Sequence, residues 1–382
     1  MSDPHPIDSA YPTPDPDKLD TDKLDTDTVT PAGLIVRERQ PDNLEFPFHT
    51  LASVVTPTEQ FFVRSRFAVP SLTPQTWRLR VEGAVANPLT LSLNDLQQMA
   101  AHTLPATLEC AGNSRAFLVP KTPGVAWASG AVSNAEWTGV PLADILAQAG
   151  VSADAVEVIL EGADCGKVKE APKPPGEVYF ARSLPLTKAQ QPSVLLAYAM
   201  NGAPLTPAHG FPLRAVVPGW YGMASIKWLT RIIVTRQPFH GYFQTVDYSY
   251  WVQEAGRPPH MAPITTMQVK AAIARPMPHE VVAANRAYRI HGAAWAGDAP
   301  VAGVMVSTDG GVTWQAACLL GEPMRHTWCL WEYSWQTPAD AGTYTLMARA
   351  TDAYGCTQPL THDAGRGRYM VSHVLPVEAQ VR

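Results

Sequence analysis

The sequence predicts an α+β protein with two folded domains, a mixed α/β domain followed by an immunoglobulin-like β-sandwich. Between about residues 34 and 260, short strand and helix patterns alternate and are separated by loops rich in Gly and Pro. From residue 261 to 382, short β-type runs recur with turn residues between them. The chain has 382 residues, 46% of them hydrophobic, which is enough material for two buried cores.

Local periodicity predicts the elements of the first domain. Trp77 to Val81 alternates apolar and basic residues, as a half-buried strand does. Leu91 to Met99 has the spacing of a short amphipathic helix, and Pro141 to Gly150 predicts a second helix with Gly150 as its C-cap. Ala155 to Leu160 and Leu213 to Val217 are mainly apolar and are predicted to be buried strands.

The second domain is predicted as short strands that are separated by turns such as Asp309-Gly310-Gly311. The linker between the domains is expected near Arg257-Pro258-Pro259. The predicted strands are Tyr288 to Ala294, Val304 to Ser307, Cys329 to Trp335 and Gly342 to Ala350.

Residues 1–33 are rich in Pro, Asp and Thr and contain a tandem repeat from Asp17 to Thr26. Such a composition cannot bury an apolar face, so it predicts a disordered tail. A segment that docks a partner is the alternative.

Composition limits the function and the location of the protein. The net charge of −5 and the pI of about 6.1 give no broad basic surface, so no nucleic-acid partner is expected. None of the five cysteines forms a C-x-x-C pair, which disfavours a zinc ribbon, and an odd, sparse set disfavours a disulfide framework. Without a leader or a long apolar run, we expect a soluble cytoplasmic protein that does not enter a membrane. A periplasmic location stays open if a leader has been removed.

The segment from Thr107 to Arg115 is the most informative part of the sequence. It predicts a strand that delivers Cys110 into a loop of small residues ending in Arg115. A nearby guanidinium lowers the pKa of a thiol and favours the thiolate, which is a nucleophile and a soft metal ligand. The alternative is a buried structural cysteine, the usual role of a lone one.

A second group of residues indicates an anion site. His209 and Arg214 are followed by Ser225 and Lys227, with glycines that allow the backbone to approach a ligand. Arginine offers a bidentate fork to a phosphate and lysine a point charge. The alternative is a solvated basic loop with His209 in the core.

Three weaker segments carry Arg64, Trp127 and Tyr248. Arg64 stands in the predicted apolar strand Gln60 to Arg66, and Tyr248 ends the segment that begins at Phe243. A lone Trp or Tyr is more often a core residue than a site residue.

In the same order and at nearly the same spacing, these segments resemble the sulfite oxidase and plant nitrate reductase family of molybdenum-cofactor enzymes. The resemblance covers the chain from about Leu44 to its C-terminus. It implies a sulfite-oxidase-type molybdopterin domain, an immunoglobulin-like dimerisation domain and a homodimer. It also implies a molybdenum-molybdopterin cofactor. No haem is expected, because the N-terminal extension is too short and polar for a cytochrome b-type domain.

The resemblance implies a role for each matched residue. Cys110 corresponds to the cysteine that ligates the metal. Contact with the substrate or the oxo group is implied for Arg64, Arg115, Trp127, Tyr248 and, from the second domain, Arg366. Contact with the pterin or its phosphate is implied for Arg64, Asp164, His209, Arg214, Ser225 and Lys227, with Tyr179 or Ser183 as further candidates.

The activity that the resemblance implies is oxidation of sulfite to sulfate by oxygen-atom transfer. The electrons would pass to an external acceptor, a cytochrome or oxygen. Nitrate or sulfoxide reduction on the same cofactor is an alternative, and a non-catalytic cofactor-binding protein is another. Ser114 stands where vertebrate sulfite oxidases have the first of two adjacent arginines, so a less cationic pocket is expected.

Overall fold

A computed structural model describes residues 28–254 and 256–382 of the chain. The Asp17 to Thr26 repeat and the rest of the predicted tail up to residue 27 lie outside the described residues. Residues 28–33 form a turn in which the Gly33 N–H donates to the Thr30 carbonyl oxygen at 2.8 Å.

The described part of the chain is rich in strands and poor in helices. Its strands are β1 Ile35–Glu38, β2 Asn43–Glu45, β3 Val63–Arg64, β4 Leu79–Gly83, β5 Leu89–Leu91, β6 His102–Glu109, β7 Val132–Pro141, β8 Glu157–Lys167, β9 Glu177–Pro185, β10 Leu195–Met200, β11 Ala203–Pro204, β12 Arg214–Val216, β13 Leu229–Thr235, β14 Ser249–Val252, β15 His260–Pro263, β16 Lys270–Arg275, β17 Glu280–Val282, β18 Ala287–Trp295, β19 Val301–Ser307, β20 Gln315–Ala316, β21 Cys318–Leu320, β22 Cys329–Gln336, β23 Gly342–Asp352 and β24 Val377–Val381. The helices are α1 Leu93–Gln97, α2 Leu142–Ala149, α3 Leu186–Ala189 and α4 Tyr242–Thr245. Single 3₁₀ turns are Phe48–Thr50, Thr58–Gln60, Arg115–Phe117, Pro207–His209, Gly222–Ala224 and Ala364–Arg366.

Three larger sheets build the first domain, a two-stranded sheet of β14 and β15 follows them, and the prediction of an α+β fold is confirmed. One sheet has the order β1-β2-β3, a second β11-β10-β7-β6 with β12 beside β10, and a third β5-β4-β13-β8-β9. Apolar side chains of β4, β8 and β13 and of helix α2 form one buried core. In the second sheet, β7 and β10 lie between β6, which leads into the Cys110 loop, and β12, which begins at Arg214.

Both helices predicted in the first domain are present, and the predicted cap at Gly150 is confirmed. Helix α2 ends at Gly150, whose φ of 68° lies in the left-handed region that glycine adopts without strain. Helix α1 is shorter than predicted, because Leu91 belongs to β5 and the side chains of Ser92 and Asp95 form a capping box.

The predicted strand from Gln60 to Arg66 is mostly irregular, with only Val63–Arg64 in a sheet. On either side of these two residues, side chains accept the backbone hydrogen bonds in place of a neighbouring strand. The Phe62 N–H donates to Ser133 Oγ at 3.2 Å, and the Ser65 N–H donates to Asn43 Oδ1 at 3.1 Å.

The second domain is a two-layer β-sandwich, as predicted. One layer has the order β16-β18-β22-β21 and the other β17-β24-β23-β19-β20. Its core contains Ile290, Trp331, Trp335 and Leu346, all buried. Each of the four predicted strands lies within a longer observed one.

The two domains share a buried contact that passes directly beside the Cys110 loop. The Phe48 ring of the first domain lies 6.4 Å from the rings of both Trp295 and Trp328 of the second. After the sandwich strand β23, the chain returns to the first domain, where the Met370 N–H donates to the Ala111 carbonyl oxygen at 2.8 Å. Among the described residues, no helix has the length and apolar character needed to cross a bilayer.

Candidate functional site

Two adjoining cavities meet at Cys110. The first, here called the inner cavity, encloses about 730 Å³ including its mouth, and the second, the outer cleft, about 1330 Å³. The side chains of Arg64, Arg66, Cys110 and Tyr248 line both.

The Cys110 loop follows strand β6 and is made of small residues, so that the thiol reaches the junction of the cavities. The Cys110 N–H donates to the Ala131 carbonyl oxygen at 2.8 Å, and its own carbonyl oxygen accepts from the Asn113 N–H at 2.9 Å. Asn113 Oδ1 accepts from the Ala131 N–H at 3.1 Å. The thiol forms no disulfide and is buried. These hydrogen bonds fix the loop at the point where Cys110 lines both cavities.

Arg214 and Lys227 lie in the wall of the inner cavity. Among the described residues, Arg214 donates only to backbone carbonyl oxygens, and Lys227 donates to one carbonyl oxygen and one serine hydroxyl. Arg214 donates to the carbonyl oxygens of His209 and Ser225, each at 3.1 Å, and lies over the Trp137 ring at 4.8 Å. Lys227 Nζ donates to the Ala208 carbonyl oxygen at 2.8 Å and to Ser65 Oγ at 3.1 Å.

Glycine at position 210 lets these two side chains converge. Gly210 has a φ of 103°, and a Cβ atom there would lie 3.1 Å from the Cβ atoms of both Arg214 and Lys227. A larger residue would be strained and would push the cations apart.

The inner cavity carries more positive than negative charge. Arg64, Arg214 and Lys227 face it, and in the described part of the chain none of them forms a salt bridge with a carboxylate. Burial lowers the pKa of Arg214 to about 9. Burial, together with Arg214, also lowers the pKa of Lys227, while burial raises that of the neighbouring Asp164. Buried cations that form no salt bridge among the described residues indicate an anionic ligand.

His209 is neutral in this setting. Burial and the neighbouring Lys227 and Arg214 lower its pKa to about 3. Its Nε2 lies 3.2 Å from the Thr58 carbonyl oxygen, which can only accept, so Nε2 carries the proton. Nδ1 is then left as a hydrogen-bond acceptor. Ser225 lies nearby, and its Oγ accepts from the Val217 N–H at 3.0 Å.

Arg115 lines the outer cleft between two glycines. A Cβ atom on Gly112 would lie 2.4 Å from its Nη2, and one on Gly124 would lie 2.6 Å from its Nη1. Its Nε donates to the Arg368 carbonyl oxygen at 3.0 Å and its Nη1 to that of Val125 at 3.1 Å. Within the described residues Nη2 has no hydrogen-bond partner, which leaves it for a ligand.

Asp247 organises a second group of side chains at the outer cleft. Arg368 Nη2 lies 3.0 Å from Asp247 Oδ1, Arg66 Nη2 lies 3.8 Å from Oδ2, and the Tyr369 hydroxyl donates to Oδ1. Asp247 thus orients Arg368 and Tyr369, whereas Arg66 donates to Glu170 Oε2 at 2.7 Å.

Tyr248 follows Asp247 in the chain. Its ring packs against that of Tyr369, with the two ring centroids 5.2 Å apart. Its pKa is raised, because burial and then Asp247 and Cys110 outweigh Arg64, so its hydroxyl stays protonated and able to donate.

Most residues predicted for the site lie together, and four do not. Arg64, Cys110, Asp164, His209, Arg214, Ser225, Lys227 and Tyr248 line the inner cavity, and Arg115 lines the outer cleft. Trp127 is fully buried and lines neither, and its Nε1 finds no partner among the described residues. Tyr179 is 55% exposed on a separate groove, and Ser183 is buried on β9 outside both cavities.

Arg366 is not at the outer cleft. Its Nε lies 3.3 Å from Asp363 Oδ2 and its Nη1 3.3 Å from Ser372 Oγ, on a different cavity of the second domain. Arg368, two residues later, lines the outer cleft instead.

Position 114 also lies away from the cleft. Ser114 is fully buried and its Oγ accepts from Lys270 Nζ at 2.9 Å, so the serine there does not reduce the charge of the cleft.

Sequence reasoning missed Arg66, Asp247, Arg368 and Tyr369 as site residues. Arg66 lies two residues after Arg64, and Asp247 directly precedes Tyr248. This closeness in sequence to predicted site residues was the signal that could have identified both. Nothing in the local sequence of residues 366–369 distinguished one arginine of that loop from the other.

The described residues include no group of three or more His, Cys, Asp or Glu side chains that could bind a metal ion. A metal at Cys110 would therefore have to arrive with its other ligands already bound. The site fits such a group, because it combines one soft thiol with more cationic than anionic side chains around the inner cavity. This is the donor set expected of a protein that binds a metal-carrying anionic cofactor.

Comparisons with known proteins agree with this class of site. Residues 66–243 match the family described as the oxidoreductase molybdopterin binding domain, and residues 261–366 match the Mo-co oxidoreductase dimerisation domain. The chain is 37% identical to sulfite oxidase of Gallus gallus over 346 residues, which covers 86% of this chain and 73% of that protein. It is 33% identical to the nitrate reductase [NAD(P)H] of Hordeum vulgare over 86% of this chain and 40% of that protein.

Among solved structures, the sulfane dehydrogenase SoxCD of Paracoccus pantotrophus superposes with a TM-score of 0.77 and 26% identity, over 99% of this chain and 93% of that one. The mitochondrial sulfite oxidase of Homo sapiens is 38% identical over 86% of this chain, and the chain spans 62% of its length. The protein belongs to the sulfite oxidase family of molybdopterin-binding oxidoreductases.

Proposed function

We propose that the protein oxidises sulfite to sulfate with a molybdenum-molybdopterin cofactor and passes the electrons to an external acceptor. The observation that carries this proposal is the position of Cys110, which lines both a cationic inner cavity and a cationic outer cleft. A cofactor in the inner cavity and an anion in the outer cleft would meet at its sulfur.

The inner cavity would hold the cofactor. Arg214 and Lys227 supply charge for its phosphate, and the neutral His209 offers Nδ1 as an acceptor for a pterin N–H. Asp164 and Ser225 lie on the same wall. When bound, the group supplies the two-electron, oxygen-transfer chemistry that no side chain of the protein offers.

The outer cleft would bind the substrate. Arg64, Arg66, Arg115 and Arg368 line it and favour a small anion by charge-assisted hydrogen bonds. Tyr248, protonated and at the junction, can donate a hydrogen bond to an oxygen of that anion.

Metal and pterin analysis of the purified protein tests the proposal directly. We expect molybdenum and pterin in equal amounts, up to one per chain, and reduction of ferricyanide on addition of sulfite. Nitrate with a reduced viologen dye should be turned over far more slowly. Protein loaded with molybdenum that reduces nitrate and ignores sulfite would assign the site to the other reaction.

We also propose that the protein is a homodimer formed through the second domain. The match to a dimerisation domain supports this, and so do exposed apolar side chains there, such as Val281 at 57% and Met305 at 38%. Light scattering at micromolar concentration should give twice the chain mass of 41.4 kDa. A mass of one chain over that range would contradict the proposal.

Arg368 and Arg366 should differ in their effect on sulfite binding. We expect Arg368→Gln to raise KM between about 10- and 100-fold, because a hydrogen bond to a charged group contributes roughly 1.5–3 kcal/mol. Arg366→Gln, at the other cavity, should leave KM unchanged. Steady-state kinetics at constant ionic strength would show this, and a larger KM change in the Arg366 variant would place the substrate elsewhere.

A further inference from the structure

A buried lysine of the second domain bonds to the loop that carries Cys110. Lys270 Nζ donates to Glu109 Oε1 at 3.2 Å, to Ser114 Oγ at 2.9 Å and to the Val371 carbonyl oxygen at 2.8 Å. The side chains of Lys270 and Glu109 are each only 2% exposed. An ammonium group has three N–H donors, so all of them are used.

Glu109 is bonded just as fully. Its Oε1 also accepts from Asn113 Nδ2 at 3.0 Å, and its Oε2 accepts from Trp295 Nε1 at 2.9 Å. We call Glu109, Asn113, Ser114, Lys270 and Trp295 the Lys270 network.

The network holds the chain on both sides of Cys110. Glu109 precedes the cysteine, and Asn113 and Ser114 follow it, while Lys270 and Trp295 belong to the second domain. Ser114 has a φ of 70°, in the left-handed region, and its hydroxyl is bonded to Lys270. The position of the cysteine backbone is therefore set by contacts with the sandwich and not by the first domain alone.

Stability by itself does not require an ion pair here. Two desolvated charges gain little over well-packed apolar residues of similar size, whereas their hydrogen bonds define one geometry. Five polar groups that converge around one loop, each with a partner, restrict where that loop lies.

We propose that the Lys270 network is a positioning device through which the second domain sets the place of the Cys110 sulfur. Lys270 and Glu109 touch neither the inner cavity nor the outer cleft, so they act through the cysteine. The proposal rests on the proposed function only where it takes Cys110 to be the metal ligand.

Reactivity of the Cys110 thiol in cofactor-free protein tests the geometry without any turnover. The Glu109→Gln/Lys270→Met double variant removes both charges, so that it folds without an unpaired buried ion. We expect iodoacetamide to modify Cys110 of the double variant roughly tenfold faster than Cys110 of the wild type. A tenfold change corresponds to a loss of ~1.4 kcal/mol from the free energy needed to open the loop locally. Peptide mass spectrometry separates Cys110 from the exposed Cys165, Cys318 and Cys356.

Lys188→Met is the matched control. Lys188 is also buried, lies over the Trp220 ring at 5.8 Å as Lys270 lies over Trp295 at 5.7 Å, and pairs across the domains with Asp298 at 3.6 Å. In the described part of the chain its partners are the Pro218 carbonyl oxygen and Asp298, neither of them in the Cys110 loop, so its variant should leave alkylation of Cys110 at the wild-type rate. An unchanged rate in the double variant, or an equal rise in the Lys188 variant, would overturn the proposal.

Loaded protein gives a second readout. We expect the double variant to bind less molybdenum and to show a shifted thiolate-to-metal absorption band in the loaded fraction, with an unchanged KM for sulfite. A wild-type band position together with wild-type metal content would overturn the positioning role. If the protein bound no pterin at all, the proposed function would fail, while the alkylation result would still stand.

Discussion

Replacing Cys110 with serine should abolish sulfite oxidation while the fold and the bound pterin are retained. The thiol lies at the junction of the two cavities, and serine keeps the size of the side chain but not the soft sulfur ligand. The cations that would hold the cofactor are unchanged by this substitution. Turnover should fall below detection, whereas circular dichroism and pterin content should stay near wild type.

Cys329→Ser is the control for this substitution. Cys329 is likewise a buried free thiol, but it lies in the sandwich core. Its variant should lose some stability and keep its activity. Wild-type turnover by Cys110→Ser would remove the cysteine from the mechanism, whatever the control shows.

Arg115→Gln and Lys227→Gln should produce opposite defects. Arg115 lines only the outer cleft, so its loss should raise KM and lower kcat/KM by roughly 10²-fold, since a charge-assisted bond to an anion contributes about 1.5–3 kcal/mol. Molybdenum content should remain near wild type. Lys227 lines only the inner cavity, so its loss should lower metal and pterin occupancy and leave the loaded fraction with a nearly normal KM.

Ionic strength provides an independent check on the same pair. Sulfite arrives from solvent, so added salt should weaken its capture by the outer cleft and have little effect on the buried inner charges. Each variant serves as the control for the other, and molybdenum per chain is measured beside sulfite kinetics. Loss of metal in Arg115→Gln with a mere rise of KM in Lys227→Gln would mean that the two roles are reversed.

Regular elements were the part of the fold most accessible from the sequence. The predicted helix Pro141 to Gly150 and the four predicted sandwich strands agree with the structure because periodicity and turn residues are local signals. The segment Gln60 to Arg66 does not form the predicted continuous strand. Its backbone donates hydrogen bonds to the side chains of Asn43 and Ser133, and no local sequence pattern encodes such bonds.

The candidate site was likewise predictable only where local sequence motifs carry its residues. Cys110, His209, Arg214 and Lys227 stand in dense motifs, and the structure gathers them around one cavity. The arginine of the second domain was predicted at Arg366, whereas Arg368 lies at the cleft. That choice depends on how the loop after Asp363 crosses to the first domain, which is a tertiary property.

The buried cations of the inner cavity have a consequence for the newly made chain. Until an anion arrives, Arg64, Arg214 and Lys227 repel one another with Asp164 as the nearby carboxylate. The unloaded chain is therefore less stable than the loaded one, by an amount that the affinity for the ligand determines. Proteases and chaperones act on the less stable form. Cofactor supply would thus set how much of the protein a cell retains, as well as how much of it is active.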